Sequence, residues 1–217
     1  MARVRFNSAG VEPTEMKAAR VGLWCSVAAL IAWLAMTADS AMRPVQGNRR
    51  EIIWLLSFCF TLAAIGCVHR VQRGRSRTEL IGFCVFAAAS AIALAGNLSM
   101  QLHFKPLAVL GSPAGAMAWL AGLACFGVGT LSARALPWYA GLALIVLEPA
   151  SVVAALVLPH IAPLAHRVAY TGHLGIAFAM LAVALGMRKY AKAVEVQGVC
   201  YSRLVSAVQT QSLSREA

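Results

Sequence analysis

Hydrophobic residues along this chain fall into six long blocks separated by short polar runs: Val21 to Ala38, Ile52 to Val68, Leu80 to Gly96, Pro113 to Ala133, Leu136 to Leu158 and Val168 to Met187. A helix of about 20 residues crosses a hydrocarbon core, and each block reaches or approaches that length. The pattern therefore predicts an all-α, polytopic membrane bundle of six transmembrane helices. A segment 1–20 precedes the helical domain 21–187, and a tail 188–217 follows it. The loops are too short to hold another domain.

Polar punctuation fixes where two helices start. Ser112-Pro113 supplies a side-chain acceptor at the N-cap and a proline at the first helical position, where a missing N–H costs nothing. Pro137 plays the same part for the fifth helix. Gly111, Gly115, Gly122, Gly127 and Gly129 thin the fourth helix, which reads as close helix packing. The first block follows Glu12 and Glu15 and has spanning length, so it reads as an uncleaved helix rather than a removable leader. The tail turns polar and its end is expected to be disordered, while 189–208 either extends the sixth helix or lies on the membrane surface.

Composition agrees with a membrane chain: 60% of residues are hydrophobic and 12% charged, against about a quarter charged in soluble domains. The net charge of +11 carries topology rather than nucleic-acid binding, since no aromatic interleaving or recognition spacing accompanies it. With the N-terminus in the cytoplasm, 14 of the 19 Lys and Arg residues lie inside and 5 outside, as the positive-inside rule requires. Both termini are thus expected to be cytoplasmic, in a multi-pass protein of the plasma (inner) membrane. Five of the six cysteines lie in apolar blocks, and no C-x-x-C spacing occurs, so neither zinc nor a redox pair is indicated. His160, His166 and His173 lack the spacing that would put two imidazoles on one helical face. No metal or cofactor is expected.

One charge breaks the pattern. Glu148 stands in the middle of the fifth block, followed by Pro149, at a depth of about 16 Å from the start of the helix. An ionisable group there costs at least about 2.5 kcal/mol and marks a functional site by default. Unpaired in a dry surrounding, this carboxyl is expected to hold its proton and act as a donor. Pro149 cannot donate a backbone bond and its ring crowds the preceding turn, which is one way to open a cavity. The alternative is a protonated carboxyl that bonds a neighbouring helix as glue.

The same topology collects Asp39, Glu51, Asn97, Gln101, His103, His160, His166, Tyr170 and His173 at the outer end, a polar mouth above Glu148. If the fifth and sixth helices turn about Pro163, Glu148 lies level with Phe178, and His173 sits about 7 Å further out, too far for a direct bond. Tyr170 lies one turn from His173 on the same face. Trp33 and Trp119 are deep enough to line a pocket and to face a cation, with Phe178 at the same depth as the acid and Asn97 at the mouth.

These residues fit an enzyme acting on a lipid-soluble substrate. A proton from Glu148 would open an olefin or epoxide, aromatic faces would support the cation, and Asp39 or Glu51 would take the final proton. In size, span count and placement of Glu148, with Asp39 and Glu51 as acidic company, the chain resembles the small integral-membrane terpene cyclases of bacterial and fungal meroterpenoid pathways. The resemblance implies metal-independent, acid-initiated cyclisation of an isoprenoid. It rests on no sequence motif and carries over no catalytic residue. Two other readings remain open. One is a proton- or cation-coupled transporter, for which a dimer of six-helix chains would suffice, although the fifth helix offers no polar side chain between Glu148 and the cytoplasm. The other is a non-enzymatic assembly or regulatory protein, whose basic loop and tail contact membrane lipid.

Overall fold

The computed structural model describes residues 13–42, 48–102, 106, 114–157 and 173–216. Among them the chain is all helical, without a strand. The six helices are α1 (Pro13–Met42), α2 (Asn48–Gln72), α3 (Arg77–Gln101), α4 (Ala114–Ala133), α5 (Trp138–Val157) and α6 (Leu174–Glu216). Among the described residues five are long and apolar enough to cross a membrane; α5, 20 residues like α4, carries both Glu148 and Pro149 without ending there.

Sequential helices are neighbours, and α6 returns to pack on α1, so the six form a ring in chain order. The backbones of α2 and α3 approach least. Between membrane helices there is little hydrophobic force to exploit, because lipid is as apolar as a leucine side chain, so close approach and van der Waals packing hold the bundle. Glycines supply that approach. A Cβ on Gly122 would meet Ala89 and the backbone of α3 at Phe86, and one on Gly127 would meet the carbonyl of Gly141 on α5 at 2.7 Å. Gly122 and Gly129 thus sit at the α3–α4 contact and Gly127 at the α4–α5 contact, while Gly111 lies outside the described residues.

Inside the ring lie Trp33, Phe58, Phe86, Phe126, Leu144, Ile176 and Met180, all essentially inaccessible. Trp119 bridges two sides of the interior, its ring 4.6 Å from Phe58 and 5.3 Å from Phe86 between centroids. The outward surface is as apolar as the core: Trp24, Ile31, Ile81 and Val153 are all exposed. So much contiguous apolar surface is a liability in water and is expected against lipid, compatible with an integral membrane protein.

The ends of the ring differ. The 73–76 and 134–137 corners and the start of α1 lie at one end, together with Arg70, Arg73, Arg75, Arg77 and Arg134; this is the basic end. Here α3 is capped by Ser76, whose Oγ accepts from the N–H of Thr78 at 3.2 Å. The tail, expected to end in disorder, instead continues α6 through Glu216. Extending a helix that already exists avoids the nucleation cost that an isolated polar tail would face.

Candidate functional site

Glu148 is the centre of a hydrogen-bonded cluster between α5 and the first turn of α6. Its side chain is 2% exposed. Oε1 lies 2.8 Å from Nδ1 of His173, and Oε2 accepts from the backbone N–H of Ile176 at 2.7 Å. Ser151, one turn along α5, lies 2.9 Å from the Glu148 carbonyl and 3.3 Å from Oε2. Both carboxyl oxygens are therefore satisfied, and one of them closes a helix N-terminus, where unpaired N–H groups and the helix dipole favour negative charge.

This geometry corrects the depth estimate made from the sequence. Glu148 comes ten residues after Trp138, about 15 Å along α5, and Ile176 is level with it, so α6 starts about halfway through the bundle. A turn symmetric about Pro163 sets Phe178 level with Glu148; α6 instead sits two to three residues, about 3–4 Å, deeper, and the direct bond to His173 is present. The close seating depends on Gly175, where a Cβ would run into the Leu147 carbonyl and the Glu148 Cα. His173 itself adopts a left-handed φ of 52°, a conformation that costs on the order of 1–3 kcal/mol outside glycine and recurs at functional sites.

Above the imidazole, the Trp33 ring of α1 sits 5.1 Å away between centroids, and its Nε1 donates to Thr61 Oγ1 of α2 at 2.9 Å. The His173 side chain remains 30% exposed while its carboxylate partner is closed in. A buried carboxylate on Nδ1 with a more accessible ring is an arrangement that orients an imidazole for proton transfer at Nε2.

The other residues singled out in the sequence lie elsewhere. Asp39 is buried and bound to Arg50, its Oδ2 3.0 Å from Nε, so its company is an ion pair at the start of α2 rather than Glu148. Glu51 is exposed. Phe178, expected level with the acid inside a pocket, is 48% exposed on the outer surface of α6, because Ile176, Ala177, Met180 and Val183 form the face that turns into the bundle. Trp119 belongs to the aromatic core between α2, α3 and α4. Asn97 donates to the Ala93 carbonyl of its own helix at 2.9 Å. Tyr170, together with His103, His160, His166, Pro163 and the Ser112-Pro113 cap, lies outside the described residues.

Sequence reasoning passed over a second buried pair. At the basic end, Nδ1 of His69 on α2 lies 2.6 Å from Oε1 of Glu79 on α3, and the imidazole stacks on Phe83 at 3.8 Å between centroids with 5° between planes. Glu79 is inaccessible, as is Gln72, whose Oε1 accepts from Thr130 of α4 at 3.4 Å. Glu79 Oε2 and Gln72 Nε2 have no hydrogen-bond partner among the described residues. A signal was present: Ser76-Arg77-Thr78-Glu79 has capping-box spacing. That pattern suggests a surface cap, and nothing local reveals that His69 captures the carboxylate instead. Among the described residues no group of three His, Cys, Asp or Glu side chains is placed to hold a metal ion.

No protein-family model matches the chain, and neither do any curated protein or solved structure.

Proposed function

We propose that the chain is a multi-pass enzyme of the plasma (inner) membrane, oriented with its basic end in the cytoplasm, that transfers a proton to a lipid-soluble, isoprenoid-type substrate at the Glu148–His173 pair. The observation that carries this reading is the bond from a closed-in carboxylate to Nδ1 of a more accessible imidazole. Glu148 positions and stabilises His173, and His173 exchanges the proton through Nε2. This reverses the roles expected from the sequence, in which Glu148 was itself the donor. An imidazolium is a weak acid and protonates a lone pair more readily than an isolated alkene, so the chemistry favours an epoxide or carbonyl oxygen as the point of attack. As the Nε2 proton passes to an epoxide oxygen, a C–O bond breaks. A neighbouring alkene closes the ring onto the electron-poor carbon, and loss of a ring proton to neutral His173 restores the imidazolium. The Trp33 face supports positive charge at this point.

The test is comparative lipid profiling of membranes from cells carrying the wild-type chain or His173→Asn, each supplied with epoxidised isoprenoids. A cyclised isomer of unchanged mass, present with the wild type and reduced about 10²–10⁴-fold in the variant, is the expected result. Identical lipid profiles would remove the enzyme reading. A second reading, a proton-coupled transporter, is favoured by the His69–Glu79 pair at the opposite end of the ring. It predicts proton flux in sealed liposomes that Glu79→Gln and Glu148→Gln both abolish.

A further inference from the structure

We propose that the recess between the basic ends of α5 and α6 is a binding site for the headgroup of an anionic phospholipid. The recess, about 300 Å³, is lined by Tyr139, Leu185, Arg188, Lys189 and Lys192. Leu185 and the three cations follow one another at i, i+3, i+4 and i+7, so they form a single stripe along α6, with Tyr139 of α5 facing it. The stripe changes character along its length. Leu185 and the Tyr139 ring make an apolar wall on the membrane side, and the cations make a rim beyond it. That sequence of surfaces matches an amphiphile whose phosphate meets the rim while its glycerol and chain start lie on the wall.

Depth supports the assignment. Gly186 lies against Ala140 and Pro137, which begin α5, so Arg188, Lys189 and Lys192 come within two turns of the point where α5 enters the bundle. Trp138, 65% exposed, packs edge-on to Tyr139 at 6.3 Å, an aromatic pair of the kind enriched at headgroup level. Charge pairing separates this stripe from its neighbours. On the face of α6 toward α1, Arg20 pairs with Glu195 and Tyr190 bonds both Glu15 and Arg75. Arg188, Lys189 and Lys192 are all exposed and none has an acidic partner among the described residues. Three cations with no acidic partner among the described residues, beside an apolar wall, attract an anionic headgroup, whereas a zwitterionic one brings its own cation.

The experiment is native mass spectrometry of the full chain released from detergent with phosphatidylglycerol or phosphatidylcholine of matched chain length. One phosphatidylglycerol is expected to stay bound under conditions that strip phosphatidylcholine. Arg188→Gln/Lys189→Gln/Lys192→Gln is expected to weaken that retention at least about tenfold, while Arg203→Gln/Arg215→Gln, further along the chain, leaves it unchanged. Should the triple variant fail to fold, the wild type still decides. The part of the fluorescence quenching by brominated phosphatidylglycerol that disappears in Trp138→Phe reports lipid at the recess, and brominated phosphatidylcholine should quench this part less. Equal retention of the two lipids, equal quenching by them, or undiminished retention by a folded triple variant would overturn the site.

Discussion

Glu148 and Glu79 are both buried, and each lies within hydrogen-bond distance of a histidine, yet their surroundings differ in completeness. Around Glu148 every oxygen has a hydrogen-bond partner, one of them a backbone N–H of α6, and the helices that meet there are seated through Gly175. Around Glu79 one oxygen and the neighbouring Gln72 amide nitrogen have no partner among the described residues, and the α2–α3 contact that joins them is the loosest in the ring. A buried polar group without a partner costs about 1–3 kcal/mol, so the His69–Glu79 pair carries a penalty that the His173–Glu148 pair has removed. Burial of a carboxylate therefore says little by itself; the count of its donors separates a fixed site from one with capacity to bind something more.

The comparison can be broken by substitution, with stability followed by reversible unfolding in detergent. The largest effect is expected from His173→Leu, which strips a buried carboxylate of its imidazole and places a branched side chain at a left-handed position, for a loss of about 3–5 kcal/mol. Asparagine, which tolerates that backbone conformation, should lose less. Gly175→Ala comes next, at about 1–3 kcal/mol, because the new methyl meets the backbone of α5. Equal stability of this variant and the wild type would show that α5 and α6 are not seated as described. His69→Phe should cost about 1–3 kcal/mol by leaving Glu79 alone, and the double replacement His69→Phe/Glu79→Leu should restore most of it. Smallest of all is Glu79→Gln, expected within about 1 kcal/mol of the wild type. A loss larger than that of Glu148→Gln would reverse the ranking of the two pairs.

Much of the fold was legible because apolar block length and the placement of charges are local properties. Six blocks became six helices, and Glu148 stood out since nothing else charged shares its block. What escaped depends on where helices begin relative to one another. The depth at which α6 starts is set by Gly175 and by the Glu148 carboxylate, across a gap of sequence that no periodicity spans. The distance to His173 was misplaced for the same reason, whereas Phe178 was read by depth alone, which does not reveal which face of α6 turns inward. The His69–Glu79 pair was hidden because Glu79 opens its helix in a capping-box pattern, and its partner lies on a different helix. Asp39 was read by side of the membrane alone, which could not reveal that Arg50 would claim it.

Helix α6 runs for 43 residues, about 64 Å, roughly twice the thickness of a hydrocarbon core. One end is pinned by the Glu148 carboxylate at mid-depth of the bundle, and α1 holds the helix as far along as Glu195 through Arg20. The helix continues for about 30 Å past that last tie. A bend of about 5° at Glu195 displaces the far end by about 3 Å, so motion there leaves the Glu148 cluster in place.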